Sequence, residues 1–168
     1  MNGYLKRLQE AISSSVEGMT LEQLRKHPEG KWSAVEILEH LYLTYTGTIK
    51  GCERCLDKGD PQARPLTFKD RLSQFVVITC GHMPGGRKAP EPTLPRGAAS
   101  EQVVNDIGVQ LGAMEDLLQR CEQRFGSRTK FMNHPVLGAL TAAQWRKFHW
   151  IHGWHHVKQI RRLRESAV

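Results

Sequence analysis

Residues 148–160 read FHWIHGWHHVKQI and place four of the chain's eight histidines within eight positions. At 100° per residue, His149, His152 and His156 fall within about 60° of one another on one helix face. They share that face with Trp145, Gln159, Ile160 and Leu163, while His155 points elsewhere. The face carries histidines where a plain core would carry leucines, and the i, i+4 spacing of His152 and His156 lets two imidazoles share one ion. Thr141 and Gln144 stand at capping-box spacing ahead of this run, so the helix is expected to extend from there to about Glu165.

Working back along the chain, the same periodicity recurs. Tyr4, Leu5, Leu8, Ile12 and Val16 form an apolar stripe that predicts a first helix over residues 2–17. Thr20 can cap a short turn through LEQLRK before the breakers His27-Pro28-Glu29-Gly30. Ser33 and Glu36 form a second capping box, and Ile37, Leu38, Leu41 and Tyr45 carry that helix to about Leu56. Thr67-Phe68-Lys69 opens a shorter helical segment through Cys80. Residues 81–100, GHMPGGRKAPEPTLPRGAAS, hold four prolines and four glycines and predict an irregular connection. Ser100 is expected to cap a helix over 101–124, with Val103, Ile107, Val109, Leu111, Met114, Leu117 and Leu118 as its apolar positions. A loop with Gly126, Pro135 and Gly138 leads to the last helix, and no strand pattern stands out. The expectation is an all-α protein: a four-helix bundle with a long crossover and one accessory helix, in a single domain over residues 1–168.

Composition bounds the function. The chain has 168 residues, 39% of them hydrophobic and 24% charged, which is enough apolar content for a core and excludes wholesale disorder. No window approaches the roughly 18 consecutive apolar residues of a membrane span. The opening MNGYLKRLQE lacks the apolar centre of a signal peptide, so a cytoplasmic location is expected, with the four cysteines reduced. Net charge is +7, which would suit an anionic partner. The basic residues are scattered, however, apart from Arg161, Arg162 and Arg164, where cations also suit the end of a helix dipole, and this argues against nucleic acid.

A metal ion needs a third ligand from a facing helix, and His40, within the apolar run SAVEILEHLYLTY, is the best placed. Three neutral imidazoles would leave the ion its full charge and an open position, where a water could become hydroxide near neutral pH. Zinc is the first expectation, with nickel or iron as alternatives, since imidazole suits all three. His149 and Gln159 are the candidates for catalytic support; the plainer readings are a histidine that backs the ligands or lies at the surface for His149, and a core amide with a backbone partner for Gln159. Glu36 is explained by its capping box, and Cys52 and Cys55, three turns from His40, by packing. Gly153 costs roughly 1 kcal/mol against Ala within a helix, which is explained equally by another backbone or a ligand passing close and by neutral variation.

The chain resembles the DinB-like (YfiT-like) superfamily of metalloenzymes over nearly its whole length. The resemblance rests on K-W-S-x-x-E-I-L-x-H-L at Lys31 to Leu41, H-P-x-x-G-x-L-T at His134 to Thr141, and H-x-x-H-H-x-x-Q at His152 to Gln159. It implies a three-histidine metal site at His40, His152 and His156, and a metal-dependent enzyme of thiol S-transferase or hydrolase type. Such an enzyme would act on a small electrophilic substrate, with a low-molecular-weight thiol as a further cofactor. Transferase-like members follow the last histidine with Arg-Gly-Gln, where this chain has Val157-Lys158-Gln159. The alternative is a non-enzymatic metal-binding or stress-response bundle, and a homodimer is compatible with either reading.

Overall fold

The computed structural model describes residues 1–27, 29–86, 88–97 and 101–165. Its elements in order are α1 (Gly3–Val16), α2 (Leu21–Arg25), α3 (Ala34–Lys58), α4 (Phe68–Gln74), α5 (Glu101–Phe125), a ribbon of β1 (Met132–His134) and β2 (Gly138–Leu140), and α6 (Ala142–Glu165). The fold is thus mostly helical. Among the described residues, no helix is long and apolar enough to cross a membrane.

Helix starts follow the side-chain chemistry expected of them. Ser33 Oγ accepts from Glu36 N, and Glu36 Oε2 accepts from Ser33 N, which satisfies two otherwise free donors at the start of α3. Thr20 with Gln23 does the same for α2, and Thr141 with Gln144 for α6. The expected Ser100 cap lies outside the described residues. Helix α3 ends at Gly59, whose φ of 72° is the left-handed conformation that closes a helix cheaply only without a Cβ.

Contacts between helices set their directions. Cys121 Sγ donates to Cys52 O, and Gly59 lies beside the Arg124 guanidinium, so α3 and α5 run parallel. Leu8 meets Gly153 and Arg164 reaches Ser14 O, so α1 and α6 also run parallel. His40 and Thr48 of α3 face His152 and His149 of α6 respectively, which makes α3 and α6 antiparallel. Two parallel neighbours cannot be joined by a tight turn; the chain between α3 and α5 must travel back along the length of a helix. The core between these helices includes Leu5, Leu8, Ile12, Leu38, Leu41, Tyr45, Leu111, Met114, Leu118 and Ile160, all essentially inaccessible to solvent. Buried Arg146 of α6 adds a polar tie, donating to Glu115 and Glu122 of α5.

Four details differ from, or refine, the expectation. The segment after Thr67 does not stay α-helical to Cys80: α4 widens at Phe75–Thr79 into a π-helical turn, a local variant with no residue signature of its own. Residues 91–93, within the stretch expected to be irregular, form one 3-10 turn that Pro92 tolerates in its first positions. The loop before α6 contains the two short strands, three residues each, too short for alternation to show. Val109, counted among the apolar positions of α5, is 71% exposed because it sits off the stripe of Ile107, Leu111, Met114 and Leu118.

The ribbon is held from α4. Gln74 Nε2 donates to Leu137 O and Ala139 O, and Lys130 Nζ donates to Gln74 Oε1. His134 Nδ1 accepts from Val136 N and Leu137 N, 3.1 Å each, and so ties the turn between the strands. Gly138 has φ 67°, and a Cβ there would lie 2.7 Å from Asp70 Cγ, so both backbone angle and space require glycine. The H-P-x-x-G-x-L-T segment is therefore the turn that delivers the chain to the first turn of α6.

Candidate metal centre

His152 and His156 project from one face of α6, one turn apart, and His40 projects from the first half of α3 opposite them. His152 Nε2 lies 3.2 Å from His40 Nε2 and 3.2 Å from His156 Nε2. All three ligand atoms lie within 4.8 Å of one another. His40 and His156 are buried and His152 is half-buried.

The outer nitrogens decide which atoms are free to ligate. His40 Nδ1 lies 2.8 Å from Thr93 O, and a carbonyl only accepts, so that Nδ1 carries the proton and Nε2 keeps its lone pair. His156 Nδ1 lies 2.7 Å from Gln159 Oε1, with the same consequence. Two lone pairs thus converge on His152 Nε2. A proton on that atom can point well at only one of them; a proton on Nδ1 instead leaves three lone pairs facing one another, and His152 Nδ1 is itself buried without a partner. A cation at the convergence point suits all three. For tetrahedral zinc, with Zn–N about 2.0–2.1 Å, ligand nitrogens sit about 3.3 Å apart, close to the two 3.2 Å separations from His152, while the set as a whole spans up to 4.8 Å.

Electrostatics agree with that role. Burial lowers the pKa of His40, against the raising effect of the Thr93 carbonyl. Burial, then the charge of His40, holds His156 at about 3, partly offset by Gln159. His152 is held well below its ordinary value by burial, then by His156 and His40. Each imidazole is neutral at pH 7, the form that binds metal.

The surroundings orient the ligands. Phe148 stacks on His152 at 5.4 Å, and the Trp32 ring lies 5.1 Å from His40. Glu39 Oε1 accepts from Arg96 N, so adjacent residues of α3 hold both ends of the 93–96 segment beside the Nδ1 edge of His40. The sequence carries no sign of this contact, because its key atoms are a backbone carbonyl and a backbone N–H, which no side chain announces. Gln159 lies where expected, bridging His156 to His155, whose Nε2 is 3.2 Å from Gln159 Nε2. His149 is not brought to the centre: it is fully buried, with Nε2 3.1 Å from Thr48 Oγ1 and its ring against Tyr45 and Trp145. Glu36 is engaged at its cap, and Cys52 and Cys55 are buried free thiols.

The family model for proteins of unknown function DUF1569 matches residues 5–163, and the chain belongs to that family. No curated protein and no solved structure matches it.

Proposed function

We propose that this member of the DUF1569 family is a metal-dependent enzyme built on a DinB-like four-helix bundle, with residues 59–100 as its long crossover. His40, His152 and His156 hold one divalent ion, zinc first and nickel or iron as alternatives. The observation that carries the reading is the convergence of three Nε2 lone pairs, two of them fixed in direction by Thr93 O and Gln159 Oε1.

A dication with only three protein ligands supplies Lewis acidity at an open position, for an electrophile or for a water or thiol that must lose a proton. The chain's own groups do the rest. Thr93 O and Gln159 Oε1 set the tautomers and ring angles of His40 and His156 and make both imidazoles more basic toward the ion. The 93–96 segment, tied to Glu39 and His40, fixes the His40 ring from its Nδ1 edge. Gln159 Nε2 donates to His155, leaving a hydrogen-bonded path from His156 toward solvent. These features favour thiol S-transfer or hydrolysis on a small electrophile, with a low-molecular-weight thiol as the second substrate of the transfer.

The test is activity of zinc-, nickel- and iron-reconstituted protein against a panel of alkyl halide, epoxide and ester electrophiles, with and without added thiols. Turnover that requires metal and disappears in His40→Ala supports the enzyme reading. Stoichiometric metal with no turnover by any reconstituted form supports the alternative, a metal-binding bundle without catalytic activity.

A further inference from the structure

The face of α6 turned away from His152 and His156 forms the floor of a second cavity, of about 410 Å³, walled by the start of α1 and by residues 81–83. Its centre lies about 150° around the helix from His152 and His156, so it is not the opening of the metal centre. Trp150 and Trp154 stack at 5.5 Å and 19° on its floor, with Arg7 over the first ring and Arg161 over the second. Lys147 and Lys158 line opposite ends, and His82 and His155 line the sides. Among the described residues the lining contains no carboxylate, and neither lysine is paired with one.

Those features together specify a ligand. The stacked indoles are sandwiched between Arg7 and Arg161, which hold them in place and leave their ring edges as the apolar surface offered to the cavity. The two ammonium groups stand eleven residues apart on the helix, about 16 Å along its axis, each on a stem that can lean inward. The volume is that of a small-molecule site. We infer that this cavity binds a small organic anion with an apolar body and negative charge toward both ends, held between Lys147 and Lys158 against the edges of Trp150 and Trp154. The site is separate from the metal centre and does not depend on the metal-enzyme reading.

The probe is naphthalene-2,6-dicarboxylate, titrated calorimetrically against the whole protein, with neutral naphthalene-2,6-dimethanol as its comparison. Expected is saturable one-to-one binding with a dissociation constant of about 1 mM or tighter that weakens with added salt. The dimethanol should bind at least about tenfold more weakly. Lys147→Gln and Lys158→Gln should each weaken the dianion several-fold, and the double variant about tenfold or more, with an unchanged circular dichroism spectrum. Trp154→Leu should weaken both probes. Equal binding of the two probes, absence of saturable binding, or undiminished binding by the folded double lysine variant would overturn the assignment. Prior chelation of metal should leave the affinity unchanged; a probe that binds only metal-loaded protein is ligating the ion, which also overturns it.

Discussion

Gly153→Ala is the most incisive test of how α6 is seated. In an isolated helix the change should stabilise by about 1 kcal/mol, since alanine loses less backbone freedom on folding. Here the added methyl would overlap Leu8 Cδ1 and lie 2.9 Å from Cδ2 and 3.2 Å from Cγ. Leu8 has no exposed surface, so its side chain cannot swing into solvent to make room. Overpacking of this kind costs about 1–3 kcal/mol, which outweighs the propensity gain and leaves a net loss of about 1 kcal/mol. Leu8→Ala alone should cost about 2–5 kcal/mol through the cavity it opens. In that background the methyl at 153 has space, and Gly153→Ala should become stabilising by about 1 kcal/mol. The double-mutant cycle therefore predicts a coupling of about 2 kcal/mol, read from urea melts with unchanged m-values. Gly153→Ala stabilising the protein with Leu8 in place would refute the close approach of α1 to the helix that carries the two histidines.

Other expectations follow from single contacts. His149 is held at about 3 by burial and then by the charge of His134, against 6.5 for an unperturbed imidazole. Between those values the unfolded chain binds a proton that the folded chain does not, so stability falls as pH falls through that window, by up to about 1.4 kcal/mol per unit. Metal-free His149→Gln should show a slope flatter by about that amount in urea melts from pH 7 to pH 4, and an unchanged slope would contradict the burial of a neutral His149. Gln159→Leu should leave the fold intact yet weaken metal binding by about 10- to 100-fold in chelator competition, because His156 loses the acceptor that orients it. Gln74→Leu strands the carbonyl of Leu137, leaves Ala139 O with Lys130 Nζ at 3.4 Å, and should destabilise by about 1–3 kcal/mol in thermal or urea melts.

The helices were legible because their ends and faces are written in side chains. Ser33 with Glu36 and Thr141 with Gln144 mark starts by chemistry acting over three residues, and the Leu5, Leu8, Ile12 stripe marks a buried face. His152 and His156 were readable for the same reason, being one turn apart on one helix. His40 could be singled out only as a histidine in an apolar helix; its distance from the pair depends on long-range packing of α3 against α6, over 112 residues of sequence. The π-helical turn at Phe75–Thr79 and the short strands carry no local pattern long enough to read. Thr93 acts through its carbonyl, which every residue possesses, so its contact with His40 had no signal at all. The face angle did place Gln159 on the histidine side of α6. It also placed His149 there, where the structure turns it toward Thr48 instead of the other histidines.

The central claim is most directly tested by metal content: elemental analysis of protein purified without a nickel column and then offered zinc, for the parent, His40→Ala and the His152→Ala, His156→Ala double variant. The account predicts about one equivalent of tightly held metal in the parent and little or none in either variant, with all three folded by circular dichroism. Negligible metal in the parent after reconstitution, or equal metal in the variants, would contradict it.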